Sequence, residues 1–268
     1  MMFGIDMITE IQPAFSKIRL DVEKPIAYIT LNNPPVNVID ITMIDELVAA
    51  MERVQERTDI SIMVFSGAGV DFSAGADIKA HAPEIVHGML GKFHSVIRSI
   101  VNSAKVTIAA VHGNCLGGGA ELALVCDMTF CTEGARFQFP EIELACFPPV
   151  AAVALASIVG QKRAAEMILT GNTVHGDEAL HIGLANDAVA DENELSEVVH
   201  ETVARLTHLS PAALAMAKRA MWGWDGIHFE KGLEKTEALY VEELTKTEDA
   251  REGIAAWLEK RKPVWKGK

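Results

Sequence analysis

The sequence predicts an α/β fold, and three features carry this prediction. Up to about residue 190, apolar runs of strand length alternate with stretches whose apolar residues recur at helical spacing. Small-residue turns rich in glycine stand after two of the predicted strands. Beyond Asp191 the pattern changes to helix without strands. We therefore expect a layered core of strands and helices, followed by a helical region.

The first third of the chain has two predicted strands with a helix between them. The first strand covers Ile26–Leu31, and the turn-rich connection after it ends at Asp40, a residue suited to capping a helix N-terminus. The helix begins near Ile41 and carries apolar residues at the i, i+3, i+4 spacing of a buried stripe: Ile44, Leu47, Val48, Met51 and Val54. The second strand is predicted at 60–65, before the small-residue turn at 66–69.

The middle of the chain combines a strand, a glycine-rich turn and a helix start. The strand is predicted at Val106–Val111, the glycines stand at 117–119, and a helix-forming segment follows at 120–124. This order exposes backbone N–H groups at the positive end of a helix dipole, and glycine lets another molecule approach the main chain closely. Such a turn binds a phosphate or an oxygen that becomes negative during a reaction.

The two phosphate-binding motifs fail at this turn. Gly119 stands where a P-loop requires lysine, and Leu122 stands where the dinucleotide-binding motif requires its last glycine. An oxyanion site with Glu121 in the first helical turn remains. The alternative for Glu121 is that it only complements the helix dipole, worth ~0.3–1 kcal/mol.

Strand and helix alternate again through 127–132 and after Pro148, and a helical region follows. Two apolar stripes lie on that region, one formed by Leu233, Tyr240, Val241 and Leu244 and the other by Ile254, Trp257 and Leu258. In the last helix, acidic residues at 248–249 are expected in the first turn and basic residues at 260–262 in the last, before Pro263 ends it. Such stripes must be buried on the core or on another subunit, so we expect an oligomer.

Composition excludes several classes of protein. The chain has 268 residues, of which 49% are hydrophobic and 23% charged, as in soluble globular proteins. The net charge of −13 argues against a nucleic-acid-binding surface. The N-terminal segment lacks the basic stretch and apolar core of a secretory signal, and no apolar run is long enough to cross a membrane. We expect a cytoplasmic protein without nucleic-acid or membrane partners.

Metal binding is not expected either. The four cysteines form no C-x-x-C pair, and the histidines form no H-E-x-x-H motif. Buried, reduced thiols are the better interpretation of Cys115, Cys126, Cys131 and Cys146.

A second small-residue turn, DFSAGADIK at 71–79, offers two interpretations. It misses the nucleophile elbow G-x-S-x-G because Asp71 replaces the first glycine, so Ser73 is a weak candidate nucleophile. The stronger interpretation is a second turn that exposes backbone N–H groups. Two such donors converging on one oxygen form an oxyanion hole, where loss of one donor typically costs ~10²–10³ in rate.

The chain as a whole resembles the crotonase (enoyl-CoA hydratase/isomerase) superfamily. The resemblance rests on five segments in this order: ITLNNPPVNVID at 29–40, DFSAGADIK at 71–79, AAVHGNCLGGGAELALVCD at 109–127, FQFPEIEL at 137–144 and EGIAAWLEKRKP at 252–263. It implies a spiral of ββα turns with a coenzyme A thioester site at 13–200, and a helical region at 201–268 that builds a homotrimer or homohexamer. No cofactor is implied beyond the coenzyme A of the substrate.

The resemblance also implies the site residues. The N–H groups of Ala76 and Gly118 match the oxyanion donors of the family's A-G-A-D and G-G-G turns. Substrate-binding positions are implied where that family holds coenzyme A: Ala74, Asp77, Ile78, Lys79 and Gly117.

Two carboxylates are expected to carry the chemistry. Hydratases of this family have one glutamate after the triple glycine and another in a P-E-I segment 20 residues later, and Glu121 and Glu141 match both positions. Two carboxyl groups facing one site cannot both ionise easily, so the pair can hold an acid and a base near neutral pH. Each proton transfer of this kind contributes ~10²–10⁴-fold in rate.

One segment departs from the common hydratases. Where they have a glycine-rich run entering a helix, this chain has a more apolar one, so Phe147, Pro148, Pro149 and Val150 are expected to line the substrate pocket. The run E-x-x-L-A-C-F-P-P-V resembles that of cyclohexa-1,5-diene-1-carbonyl-CoA hydratases of anaerobic aromatic degradation. The alternative is that it only repacks the helix N-terminus.

The sequence therefore predicts a hydro-lyase that adds water to a conjugated enoyl or dienoyl thioester of coenzyme A. The nearest alternatives are a general enoyl-CoA hydratase or isomerase and a CoA thioester hydrolase. A non-catalytic CoA- or RNA-binding relative is a more remote alternative. A serine acyl hydrolase that uses Ser73 is the weakest.

Overall fold

A computed structural model describes residues 15–82 and 85–268 of the chain. The segment at 1–14, on which the expected lack of a secretory signal rests, lies outside the described residues. The predicted start of the core at residue 13 lies outside them too.

The strands of the described residues form two sheets. Their bounds are β1 (Ile18–Glu23), β2 (Ile26–Leu31), β3 (Ile62–Gly67), β4 (Val106–Val111), β5 (Asn114–Leu116), β6 (Met128–Thr132), β7 (Arg136–Gln138), β8 (Val174–His175) and β9 (Asp187–Val189). The larger sheet has the order β1-β2-β3-β4-β6-β9, with β1 antiparallel to β2 and the other pairs parallel. In the smaller sheet, β7 lies between β5 and β8.

Helices alternate with these strands and then continue alone. Their bounds are α1 (Ile41–Glu56), α2 (Val86–Val101), α3 (Gly118–Leu124), α4 (Pro149–Val159), α5 (Gln161–Thr170), α6 (Gly176–His181), α7 (Glu192–Thr207), α8 (Pro211–Ala238) and α9 (Glu248–Leu258). The order confirms the predicted α/β class and the strand–strand–helix turns. Residue 201, where the helical region is predicted to begin, lies inside α7.

The local sequence signals account for several elements. The β2 and β4 strands have their predicted bounds, whereas β3 begins two residues later than predicted. The Asp40 side chain accepts a hydrogen bond from the Met43 N–H at 3.0 Å and caps α1, as predicted. Helix α3 begins at Gly118, so two of the three glycines belong to its first turn.

The larger sheet is buried on both faces, as the apolar runs of its parallel strands require. On one face, Ile62, Val64 and Ile108 pack with residues of α7 such as Leu195 and Val199. The other face carries the main core, to which α1 and α2 contribute their apolar stripes. The edge formed by the carboxyl ends of β3 and β4 leads into the two glycine-rich turns.

Helix α8 is anchored to this core by a buried ion pair. The Lys218 ammonium lies 2.7 Å from the Asp127 carboxylate, which also accepts hydrogen bonds from the Thr107 hydroxyl and from the Trp222 indole N–H. No helix in the described part of the chain is long and apolar enough to span a bilayer.

The end of α9 differs from the prediction. The helix ends at Leu258, so the basic residues at 260–262 lie beyond it and not in its last turn. Lys260 adopts a left-handed φ of 53°, which turns the chain, and Arg261 then pairs with Glu252. Attraction to side-chain carboxylates therefore replaces the predicted attraction to the helix dipole.

Candidate active site

The turn after β3 is fixed by buried polar groups. The Asn37 side chain donates hydrogen bonds to the carbonyls of Ala68 and Asp71, both at 2.8 Å. The Ser73 hydroxyl donates to the Asn37 carbonyl at 2.7 Å and accepts from the Gly75 N–H at 3.0 Å. Ser73 has no exposed surface and a fully engaged hydroxyl, so the structure places it as a structural residue and not as a nucleophile.

This turn and the triple-glycine turn lie against each other. An added Cβ at Gly119 would lie 2.6 Å from the Ser73 Cβ, so only glycine permits the contact. An added Cβ at Gly118 would lie 3.6 Å from the backbone nitrogen of Ala76. Within residues 15–82 and 85–268, neither the Ala76 nor the Gly118 N–H donates to an acceptor. Two free backbone donors are thereby brought side by side, as an oxyanion hole requires.

Glu121 extends from α3 to the N-terminus of α4. Its Oε1 accepts hydrogen bonds from the N–H groups of Val150 at 2.8 Å and Ala151 at 3.1 Å. The residue is 3% exposed, and burial raises the pKa of its carboxyl to about 7, although the two backbone donors act in the opposite direction. The carboxyl is therefore held at the end of a helix other than its own.

Glu141 belongs to the short 3-10 turn Pro140–Leu144, after β7. Its Oε1 lies against the backbone of Gly117, where an added Cβ would be only 2.6 Å away. Its Oε2 is inaccessible to solvent and has no hydrogen-bond partner in the described part of the chain. Burial and the negative charge of Glu121 raise the pKa of Glu141 to about 8.

The charge of Glu121 acts on Glu141, so the two carboxyl groups do not ionise independently. Glu141 lies against Gly117, and Glu121 is on the helix that begins with the Gly118 donor. One proton shared by such a pair gives the site a proton donor and a proton acceptor near neutral pH. The arrangement is suited to reactions in which one carboxyl gives a proton while the other takes one, next to an oxygen that becomes negative.

The apolar segment predicted as the pocket floor forms the start of α4. Pro149 is in the first turn of the helix, where its missing N–H is no loss, and Pro148 precedes it. Phe147 is half-buried, and its ring meets the Tyr240 ring edge-on at a centroid distance of 5.3 Å. Val150 is fully buried, and it reaches the site through its N–H group.

The predicted coenzyme A residues continue the turn that carries Ala76. The Ala74 N–H donates to the Val36 carbonyl at 2.8 Å. The Asp77 side chain accepts from the Lys79 N–H at 3.0 Å and caps the short turn Ile78–His81. Ile78 is half-buried and Lys79 is exposed, so this segment borders the site on its solvent side.

Two residues near this site were not identified from the sequence. Asn37, which holds the first turn, adopts a left-handed φ of 52°, and no spacing signal marks it. Tyr240 was predicted only as part of an apolar stripe, but its ring packs against Phe147, and the charges of the two glutamates act on its buried hydroxyl. All four cysteines are buried and unpaired, as predicted. Within the described ranges, no group of three or more His, Cys, Asp or Glu side chains is arranged to hold a metal ion.

Comparisons with known proteins agree with this geometry. The sequence model of the family described as enoyl-CoA hydratase/isomerase matches residues 21–268. A probable enoyl-CoA hydratase of Bacillus subtilis is 34% identical over 255 residues, which cover 93% of this chain and 98% of the relative. A cyclohexa-1,5-dienecarbonyl-CoA hydratase of Thauera aromatica is 32% identical over 254 residues, which cover 94% of this chain and 97% of the relative.

The same relationship holds in three dimensions. The crystal structure of an enoyl-CoA hydratase from Mycobacterium avium subsp. paratuberculosis superposes with a TM-score of 0.85 at 25% sequence identity. The superposition covers 94% of this chain and all of that one.

Proposed function

Because this chain belongs to the enoyl-CoA hydratase/isomerase family, we propose that it is a hydro-lyase that adds water to a conjugated enoyl thioester of coenzyme A. One observation carries the proposal. Two buried carboxyl groups with raised pKa values, Glu121 and Glu141, lie beside the free N–H groups of Ala76 and Gly118.

In this mechanism the thioester oxygen accepts hydrogen bonds from Ala76 and Gly118. A carboxylate of the pair takes one proton from water, and the water oxygen bonds to the alkene carbon remote from the thioester. The double bond opens, and its electrons move onto the thioester oxygen as an enolate, which the two N–H groups stabilise. The other carboxyl of the pair then gives a proton to the carbon next to the thioester, which completes the addition of water.

The remaining predicted residues bind the rest of the substrate in this proposal. The segment with Ala74, Asp77 and Ile78 borders the two donors on the solvent side, where the coenzyme A portion extends from the thioester. The exposed Lys79 ammonium is free to meet its negatively charged groups. Gly117 precedes the Gly118 donor in the chain, and its missing side chain leaves room for the Glu141 carboxyl beside the thioester.

For the acyl group we propose cyclohexa-1,5-diene-1-carbonyl-CoA. Its support is the E-x-x-L-A-C-F-P-P-V run and the Thauera aromatica relative whose name carries that substrate. The Phe147 ring and the start of α4 give the segment a rigid, apolar character that suits a planar ring. A linear enoyl-CoA is the second candidate, since a relative of similar identity is named simply as a probable enoyl-CoA hydratase.

The test is turnover of a panel of coenzyme A thioesters that includes linear, aromatic-derived and alicyclic members, with products identified by mass spectrometry. We expect a mass gain of one water with the cyclic dienoyl-CoA at the highest kcat/KM. Free coenzyme A as a product would support the thioester hydrolase alternative, and a product of unchanged mass would support an isomerase. Lack of turnover of every member would contradict the proposed function.

A further inference from the structure

Tyr240 lies at the point where the last long helix changes its geometry. Helix α8 ends at Ala238 and continues as a single π-helical turn, Leu239–Glu243, before a short 3-10 turn. Single π turns inside helices occur often at functional sites, because the extra residue redirects a side chain. Here the redirected side chain is that of Tyr240, which is 2% exposed.

The neighbours of this tyrosine are Cys146 and Phe147, which directly precede the two prolines at the start of α4. Its ring packs edge-on against Phe147. Burial raises the pKa of the Tyr240 hydroxyl well above its usual range, and the neighbouring Cys146 thiol and the negative charges of Glu141 and Glu121 add to that rise. The hydroxyl is therefore shielded from bulk solvent and within electrostatic reach of both carboxyl groups.

Two buried oxygens of this region have no hydrogen-bond partner among the described residues, the Tyr240 hydroxyl and Glu141 Oε2. The adjacent Cys146 thiol points instead to the Leu144 carbonyl, at 3.6 Å. An unpaired polar group in a protein interior costs ~1–3 kcal/mol, so native structures normally pair such groups with a ligand or an ordered water. A water molecule between these two oxygens would satisfy both, since water donates and accepts hydrogen bonds.

We infer that Tyr240 binds, together with Glu141, the water molecule that the reaction consumes. The inference rests on the proposed hydratase function and adds a residue to it. The hydroxyl of Tyr240 donates to the water oxygen, and Glu141 Oε2 accepts from the water, so the water is oriented before the substrate arrives. Tyr240 forms no bond and takes no proton in the reaction.

The variant Tyr240→Phe tests this role, because it removes the hydroxyl and keeps the ring that packs on Phe147. We expect kcat for hydration to fall roughly 10- to 100-fold, with KM for the thioester nearly unchanged. The matched control is Tyr28→Phe, since Tyr28 is the other tyrosine of the chain and lies on β2, outside the site. The control should hydrate at the parent rate.

A second reaction separates water binding from general support of the site. A saturated thioester such as butanoyl-CoA exchanges the proton next to its carbonyl with D2O through the same enolate, but no water oxygen bonds to carbon. Tyr240→Phe should therefore exchange this proton within about threefold of the parent rate. Equal losses of exchange and hydration would overturn the inference, as would hydration within twofold of the parent.

A crystal structure of the parent protein, at a resolution that shows ordered waters, gives a readout independent of activity. A water within hydrogen-bond distance of both the Tyr240 hydroxyl and Glu141 Oε2 is the expected result. A small cavity of about 10 Å³, lined in part by His81, Cys146 and Tyr240, offers the competing place for a water. If the Tyr240 hydroxyl binds only a water in that small cavity, or binds no water, the inference is overturned even if the enzyme is an active hydratase. Failure of the proposed function would instead appear as a parent protein that hydrates no thioester of the panel.

Discussion

The carboxyl oxygen Oε1 of Glu121 accepts a hydrogen bond from the Val150 N–H at 2.8 Å. Val150 is in the first turn of α4, whose initial N–H groups have no partner within the helix. Glu121 therefore caps α4 from another helix, which fixes the carboxyl in place without an ion pair to any residue that the structure describes. The start of α4 therefore holds the Glu121 carboxyl in position, whether or not it also contacts the acyl group of the substrate.

The first prediction concerns the glutamates. Glu121→Gln and Glu141→Gln should each lower kcat for hydration by roughly 10²-fold or more, because a neutral amide acts neither as a base toward water nor as an acid toward carbon near neutral pH. Binding of a saturated coenzyme A thioester, measured by calorimetry, should change little. The control is Glu143→Gln, an exposed glutamate in the same 3-10 turn. Hydration near the parent rate by either site variant would remove that residue from the mechanism.

The second prediction is a fall in stability with rising pH. The folded-state pKa of Glu141, about 8, is above the usual value near 4.5, so the folded protein retains a proton that the unfolded chain has lost. Stability from this group is complete below about pH 4.5 and decreases up to about pH 8, by ~1.4 kcal/mol for each unit that separates the two pKa values.

Urea unfolding at several pH values and one fixed protein concentration measures this effect. The free energy of unfolding of the parent should fall between about pH 5 and about pH 8, and the fall should be smaller in Glu141→Gln. Glu143→Gln should retain the parent slope. A parent protein whose stability does not change over this range would show that the carboxyl is ionised in the folded state.

The third prediction concerns Gly117. Gly117→Ala would place a Cβ 2.6 Å from Glu141 Oε1, at a left-handed φ of 47° that disfavours side chains. We expect a loss of stability of ~1–3 kcal/mol and a fall in hydration of at least ~10-fold, because Glu141 must move. The matched control is Gly134→Ala, where an added Cβ meets nothing within 4 Å. Parent-like activity of Gly117→Ala would mean that the position of Glu141 is not critical.

Several parts of the fold were predictable because their signals are local. The Asp40 cap and the following stripe define α1, and β4 follows from one apolar run. The grouping of Glu121 and Glu141 with the two glycine-rich turns was also expected. Both glutamates and both turns stand at the positions that the crotonase superfamily uses. These signals are properties of a few adjacent residues and do not depend on distant contacts.

The support of the site was not predictable, because it depends on contacts between distant segments. Glu121 and Val150 are joined only when α3 and α4 pack together, and nothing in either segment specifies that bond. Tyr240 belongs to an apolar stripe in the sequence, and no local signal marks the π-helical turn in which it lies. The prediction that 260–262 form the last turn of α9 was wrong for a similar reason. Arg261 pairs with Glu252 only after the chain turns.

The fourth prediction is a homo-oligomer, a trimer or a hexamer. In the helical region whose stripes were predicted to be buried on the core or on another subunit, Leu233 and Tyr240 are buried in the core of this chain. Met221 on α8 is 69% exposed, and Trp257 on α9 is 47% exposed. A cavity of about 440 Å³ lies between α4 and α8, and Met221 lines it together with Ile158. Large exposed apolar side chains around a groove suit contact with a second copy of the chain.

Sedimentation velocity should give a mass several times 29.0 kDa at micromolar concentration. Met221→Glu should shift the distribution toward smaller species, because it would bury a charge in the interface. The control is Leu169→Glu, since Leu169 is similarly exposed at 67% but lies on α5, outside the predicted contact region. A parent protein that sediments as a monomer would contradict the prediction.

The fifth prediction concerns the two prolines before Val150. If the segment shapes the pocket for a planar six-membered ring, Pro148→Gly/Pro149→Gly should reduce kcat/KM for the cyclic dienoyl-CoA more than for crotonyl-CoA. A mismatch the size of a methylene is worth ~1–3 kcal/mol, or about 10- to 200-fold in specificity. Both substrates present the same thioester oxygen to Ala76 and Gly118, so that part of the binding should change equally for both.

The contact between Glu121 and Val150 gives the same variant a second effect. Glycine loosens the first turn of α4, and a looser turn holds the Glu121 carboxyl less firmly, which lowers hydration of both substrates together. The ratio of the two kcat/KM values separates the effects, because the loss of Glu121 support cancels in it. Pro211→Gly is the matched control, since Pro211 occupies the same kind of position at the start of α8 and lies away from the site. A folded, oligomeric variant with an unchanged ratio would show that the prolines support Glu121 and do not select the acyl group.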